Sequence, residues 1–382
     1  MDLELTEEQK MIQKTAREFA QEVIQPLVEE AEKEEKFPLE LFPQMGELGF
    51  LGIPFPEEYG GIGADKVTQC LFVEEISKVC AGIAASVDAH CDLALGAIYR
   101  FGTQEQKERF LIPGIEGHKI GALAITEPNA GSDVAALQST AKRKGDGYVL
   151  NGSKLFITNG SIADFVLVLA YLDKSQGAKK GMGLFIVEKD TPGFQVTRKL
   201  KGKMGHRSSD TAELAFEDCL VPAENLLGGE EGNGFMQSLQ TLLGARISQA
   251  VKTVAIGYAA FEAALTYAKE RKAFGQPISQ FQAIQFKFAN MLTRLEAART
   301  YAFKVAYMYS RKMPCLKEAA MAKLMACEAA QFATYEAIQI LGGYGYVDEY
   351  PVERFYRDVR LSTITEGTTE IQCLIIAREL GL

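Results

Sequence analysis

Five short stretches of the 382-residue chain concentrate the side chains able to do chemistry. They are ITEPNAGSD at 125–133, GSKLFITNG at 152–160, RKAFGQPISQFQAIQ at 271–285, QILGGYGYVDEYPVERFYRD at 339–358 and ITEGTTEIQ at 364–372. Glu366 offers a carboxylate, which can act as a general base when it is held beside a weakly acidic proton. Ser132 follows a Pro turn and a Gly, where a small residue lets the backbone approach a ligand and the hydroxyl can donate a hydrogen bond. Arg271 offers a guanidinium, which holds phosphate oxygens in a fixed fork. Each residue has an ordinary alternative. A Glu before a Gly is commonly a surface turn residue, and Thr126 and Thr158 are of a type frequent in strands. Arg271 alone reads as a solvated cation at a helix end, and Gly342 with Gly343 as a helix C-cap.

Composition removes several chemistries. The seven cysteines, at 70, 80, 91, 219, 315, 327 and 373, form no CxxC pair and have no histidine at ligand spacing, so they read as reduced thiols. With His90, His118 and His206 the only histidines, a histidine-based metal centre or a Ser-His-Asp relay has little material. A net charge of -9 argues against a nucleic-acid partner, which calls for clustered Lys and Arg. The N-terminal Met1-Asp-Leu-Glu-Leu lacks the basic and apolar regions of a secretory signal, and no apolar run reaches the length of a membrane span. A cytoplasmic protein without a membrane partner is expected.

The elements that must position these residues fall into three textures, and the length and 47% hydrophobic content suit two or three domains. From Thr6 the TEEQ pattern predicts a capped helix, with apolar residues at helical spacing from Ile12 to Ile24, and helical patterns run on to about residue 120. Between about 121 and 232 the chain turns to short apolar or alternating runs such as DFVLVLAYL, GLFIVEKD and TAELAFEDCLVP, which predict a β unit. Beyond it, helical stretches around 235–270, 280–311 and 316–340 are long enough for a bundle and are broken at FGQPIS, RKMPC and LGGYGYVDEYP. The expected domains are 1–120, 121–232 and 233–382.

In this order and at this separation, the five motifs resemble the acyl-CoA dehydrogenase family, in its short-chain, butyryl-CoA dehydrogenase-like form, over essentially the whole chain. The resemblance implies an α+β fold with an N-terminal helical domain, a central β-barrel-like domain and a C-terminal four-helix bundle. It implies FAD as cofactor, an acyl-CoA substrate, an electron-transferring flavoprotein as acceptor and a homotetramer. Thr126 and Thr158 would meet the isoalloxazine ring, Phe156 would pack against it, and Ser132 would lie by the pyrophosphate or the substrate. Arg271, Phe274, Gln282, Gln339, Gly342 and Gly343 would reach the FAD of a neighbouring subunit, and Thr368 and Glu370 would add cofactor contacts. Glu366 takes the position of the base, flanked on the substrate side by Thr365 and Gly367, while Arg246 in LLGAR resembles the arginine that helps hold the CoA portion. The chemistry accounts for the residue type, because a proton next to a thioester needs a positioned carboxylate and a stabilised enolate-like oxygen. The family places that oxygen between the backbone N–H of the base residue and a ribityl hydroxyl, and burial should raise the Glu366 pKa.

Several positions depart from the family pattern. Thr365 stands where a Tyr commonly precedes the base, which widens the pocket. Leu243 replaces an Asp, and Ala245 leaves no second candidate base before Arg246. Asp92 stands where relatives carry a small or neutral residue. It reads first as a carboxylate that caps a helix or pairs with a cation, and secondly as an additional acid/base group acting on a cyclohexane- or cyclohexene-carboxyl thioester. His90, alone on a helix, reads as structural. Other readings are an oxygen-reactive flavin oxidase or monooxygenase, a decarboxylating dehydrogenase of dicarboxylic acyl-CoA, and a nucleic-acid-associated relative. The Glu-Gly-Thr motif counts against the first, the missing cation for a distal carboxylate and the repulsion from Asp92 against the second, and the acidic charge balance with Glu366 against the third.

Overall fold

The computed structural model describes residues 4–382, so Met1, Asp2 and Leu3 of the N-terminal stretch lie outside the described residues. The first helix, Glu7–Phe19, begins where TEEQ predicts. The Thr6 hydroxyl accepts the Gln9 backbone N–H and the Gln9 side chain accepts the Thr6 N–H, so two otherwise orphaned donors are satisfied. Further helices include Lys66–Val79 and Ala81–Asp88, after which the chain widens into π-helical turns over Ala89–Leu95 and returns to an α-helix at Gly96–Phe101. The sequence expectation of no span-length apolar run is corrected here. Ala81–Phe101 has the length and hydropathy of a membrane span, yet 89% of its most apolar window is buried inside the protein. The segment is a core helix that takes Asp88, His90 and Asp92 into the interior with it.

The middle of the chain folds into a curled seven-stranded sheet of β1 (Gly121–Ala124), β2 (Thr140–Lys144), β3 (Gly147–Thr158), β4 (Phe165–Tyr171), β5 (Met182–Glu188), β6 (Phe194–Lys199) and β7 (Thr211–Pro222). The order is β1-β4-β2-β3-β7-β6, with β5 also on β4. β4 is buried along its whole length, which explains its unbroken apolar run. The long β3–β7 pair shifts register between Leu150 and Gly152 and again between Lys154 and Ile157. Such bulges re-aim side chains, and the second one turns out Phe156, which has φ +61° and is 64% exposed.

From Gly234 the chain is helical again. Gly234–Glu270, Gln282–Ser310 and Leu316–Leu341 pack together, and the C-terminal helix Thr369–Glu379 lies on the third as the fourth member of the bundle. Small residues at the crossings allow close approach. A Cβ on Gly257 would stand 2.5 Å from a Leu295 methyl and 3.1 Å from the Ala330 Cα. Two buried side chains tie the sheet to the N-terminal helices. Asn159 donates to the Ser86 carbonyl at 2.8 Å. His90 lies 3.0 Å from the Gly114 carbonyl through Nε2 and receives the Gly121 N–H at Nδ1. This bonding assigns the neutral Nε2–H tautomer, in keeping with burial that pushes the His90 pKa down to about 4.

Candidate functional site

Glu366 lies on a left-handed turn. Its φ is +56° and that of Gly367 is +91°, a conformation costing an L-residue about 1–3 kcal/mol. Three consecutive carbonyls of this turn are held from inside the bundle. Lys323, buried on the third bundle helix, donates through Nζ to the carbonyls of Thr365 and Gly367. Gln372 donates to the carbonyls of Glu366 at 3.1 Å and Gly367 at 2.9 Å. The Arg246 Nε donates to the Glu366 carbonyl at 3.2 Å, which places Arg246, expected beside the CoA portion, against the turn itself. The Glu366 oxygen Oε2 is buried with no hydrogen-bond partner. Burial raises the Glu366 pKa, with Lys252, Lys323 and Arg246 opposing and Asp92 adding to the rise. A carboxylate with a free lone pair and raised proton affinity can accept a proton from carbon.

Beside this turn lies a buried set of charges. Asp92, on the π-helical segment, accepts from Lys66 Nζ at 2.8 and 2.7 Å, from Gln69 Nε2 at 3.1 Å and from the Ser248 hydroxyl at 2.6 Å. Burial alone would raise its pKa, but the Lys66 charge and these hydrogen bonds hold it below the ordinary carboxylate range. Both oxygens are engaged, so the geometry matches the reading of Asp92 as a carboxylate paired with a cation and gives it little capacity as a base. Asp88 differs. Its Oδ2 accepts from Lys252 at 3.2 Å, while Oδ1 has no partner. Burial, aided by the neighbouring Asp92, raises its pKa.

The two motifs of the β region meet through a backbone bond from Leu155 N–H to the Thr126 carbonyl at 2.9 Å. The bond brings Thr126 against Leu155, next in the chain to Phe156, on the strand that ends at Thr158. Lys154 stiffens the junction, with Nζ on the Ile125 carbonyl at 3.0 Å and on Glu127 at 2.8 Å. Ser132 is exposed beside Gly131, where a Cβ would meet nothing within 4 Å. A second group lies on the bundle, where Arg271, Gly342 and Gly343 line an open groove of about 570 Å³ with Tyr267, Tyr344 and Val347. The guanidinium of Arg271 sits 6.0 Å from the Tyr344 ring centroid. No residue of the sheet lines this groove. Gln339 is exposed one turn before it, Gln282 is exposed at the start of its helix, and Phe274 stands 96% exposed at a hairpin tip. The Thr368 hydroxyl caps the C-terminal helix by accepting the Ile371 N–H at 3.4 Å, and Glu370 is exposed in its first turn.

Sequence reasoning missed Lys66, Asp88, Lys252, Lys323 and Gln372. Gln372 closes the ITEGTTEIQ motif and Lys66 stands at a helix start; for Asp88, Lys252 and Lys323 the only signal was a charge within an apolar helical stretch, where it has to find a buried partner.

Family models described as acyl-CoA dehydrogenase N-terminal, middle and C-terminal domains match residues 6–118, 122–219 and 232–381. The short-chain specific acyl-CoA dehydrogenase of Clostridium acetobutylicum is 44% identical, with 100% of each chain covered. The butyryl-CoA dehydrogenase structure from Megasphaera elsdenii has a TM-score of 0.97 at 43% identity, again with 100% of each chain covered. A chain in a structure described for the electron transferring flavoprotein of Acidaminococcus fermentans has a TM-score of 0.97 at 48% identity, with 100% of this chain and 99% of that chain covered.

Proposed function

Since the chain belongs to the acyl-CoA dehydrogenase family, we propose that it oxidises a short, branched or cyclic acyl-CoA thioester to the 2,3-enoyl-CoA with Glu366 as base. The observation that carries this reading is the partnerless Glu366 Oε2, buried on a turn whose three carbonyls are fixed. Preorganisation of this kind means that little has to move when the proton is transferred.

FAD is the cofactor of the family, and the residues present fit it. Gly342 has φ +61° and ψ −130°, and a Cβ there would project into open space. The backbone therefore leaves a cradle that Arg271 flanks with a cation suited to a pyrophosphate. Phe156, turned out by the bulge beside Thr126 and Thr158, offers an aromatic face to a flat ring. Bound FAD supplies the acceptor for the hydride that leaves the β-carbon. The remaining work falls to the chain. Glu366 takes the α-proton through Oε2, and its backbone N–H donates to the thioester oxygen as negative charge develops there. The Arg246 and Lys323 side chains bond the carbonyls of this turn, and their burial strengthens the field these cations exert.

Similarity to short-chain and butyryl-CoA enzymes supports a short acyl group. Thr365 in place of a ring leaves extra width for a branch or a small cycle, and the buried Lys66–Asp92 and Lys252–Asp88 pairs would disfavour a long methylene chain running past them. Since Asp92 is fully engaged, a cyclic substrate would be chosen by shape, with Glu366 as its base. Electrons would pass on to an electron-transferring flavoprotein, which the likeness to the Acidaminococcus chain supports. A homotetramer in the cytoplasm is the proposed setting.

Anaerobic titration of the yellow protein with straight, branched, dicarboxylic and cyclic acyl-CoAs, followed by flavin bleaching, tests the reading. Short or compact acyl groups should bleach the flavin, and Glu366→Gln should slow bleaching roughly 10²- to 10⁴-fold. Full-rate bleaching by Glu366→Gln would exclude the assigned base. Rapid reoxidation by air without a carrier protein would favour an oxidase.

A further inference from the structure

Lys323 is out of place by ordinary rules. It is a lysine with 1% exposure on a helix whose buried face is mostly alanine, and among the described residues it has no carboxylate within ion-pair distance. Burying an ammonium without a counter-charge is costly. A Met of similar length would pack there more favourably unless the charge serves another purpose. Its hydrogen-bond partners are the carbonyls of Thr365 and Gly367, on either side of Glu366.

We propose that Lys323 is a positioning residue for the oxidation, acting through the backbone carbonyls of Thr365 and Gly367 to aim both the Glu366 carboxylate and the Glu366 amide. The geometry follows from the peptide plane. In a planar trans peptide the C=O and the next N–H point in opposite directions. Drawing the Thr365 carbonyl toward Lys323 therefore turns the Glu366 N–H away from it. The two left-handed residues, at φ +56° and +91°, let the neighbouring carbonyls converge on one ammonium. Gln372 and Arg246 hold the carbonyl between them and complete a three-point clamp. One side chain thus fixes the group that takes the proton and the donor that meets the thioester oxygen.

Lys323 also adds to the field at the base. The charged groups facing Glu366 are Lys252 and Arg246 from the first bundle helix, Lys323 from the third and Asp92 from the π-helical segment. Lys323 itself faces Cys327, Glu366, Arg246 and Lys252, and burial pushes its pKa down to about 8. Replacing it with a neutral residue removes a cation that favours the Glu366 anion, so the pKa of Glu366 rises further.

The inference rests on Glu366 being the base, so the test separates the two claims. The probe is a 3-thia-acyl-CoA, which has an acidic α-proton and a sulfur in place of the β-carbon, so it offers no hydride. Purified flavin-loaded wild type, Lys323→Met, Lys323→Gln and Glu366→Gln are compared in D2O by NMR, following deuterium entry at the α-carbon as pH varies. In Lys323→Met, exchange should slow about 100-fold, with probe affinity changed less than tenfold and the acidic limb of the pH profile moved upward. Lys323→Gln, which keeps N–H donors without charge, should recover part of the rate but leave the limb shifted. Exchange and limb unchanged in Lys323→Met overturn the proposal; if that variant does not hold flavin, the same result in Lys323→Gln does so. Undiminished exchange in Glu366→Gln would instead refute Glu366 as base.

Discussion

A carboxylate whose free oxygen is buried titrates on the high side, and the sign of the consequence follows directly. The proton-accepting form of Glu366 is the anion, and burial raises its pKa against the pull of Lys252, Lys323 and Arg246. The turnover ratio kcat/KM should therefore rise with pH along a limb that lies above the range of an ordinary glutamate, near about 4.3. Stopped-flow bleaching across pH reads this limb, and a limb at the ordinary value would mean that the free enzyme does not keep this carboxylate desolvated. Glu366 was legible in the sequence through the ITEGTTEIQ motif. Its partners were not. Lys323 reaches the turn across 42 and 44 residues of chain, and Arg246 across 120, separations that no local spacing discloses. Asp92 was noticed as an unusual residue, but the choice between its readings depended on Lys66, which looks like a solvated residue at a helix start until the fold buries it.

The helices and strands that carry these groups were read well where they are long and strongly patterned. Expected helices around 235–270, 280–311 and 316–340 correspond to Gly234–Glu270, Gln282–Ser310 and Leu316–Leu341. β1 escaped notice because GALA is short and has three small residues and one Leu, a strand only by virtue of its parallel register on β4. The π-helical turns of Ala89–Leu95 were hidden too, since their apolar pattern is that of any buried helix. These turns present Asp92 to Lys66 and Ser248, joining three helices through one buried network. Removing one partner of such a pair leaves a bare charge in the core, whereas removing both leaves an apolar contact. Lys66→Met should therefore cost about 3–5 kcal/mol in urea unfolding, and the double variant Lys66→Met with Asp92→Leu should recover most of it. Equal losses in the single and double variants would show that packing, not the unpaired charge, sets the cost.

At the scale of the molecule, the surface around the bundle groove is unfinished. Phe274 is 96% exposed, Tyr346 85% and its chain neighbour Val347 44%, and Val347 lines the groove together with Arg271, Gly342 and Gly343 but with no strand residue. Apolar side chains so exposed mark contact surfaces. The sheet, with Phe156 turned outward, carries the other half of the expected cofactor contacts. If FAD spans from the sheet of one subunit to the groove of another, assembly and flavin content must fall together. A Phe truncated at a subunit contact costs roughly 2 kcal/mol, about a 30-fold weaker association per contact. Phe274→Ser should accordingly give smaller species at low micromolar concentration in sedimentation velocity, with less flavin per chain by absorbance. Arg271→Met should lose flavin first, and its assembly should weaken only as the cofactor leaves. Full flavin content in a dissociated Phe274→Ser chain would place the whole cofactor site within one subunit, and the groove would then need another occupant.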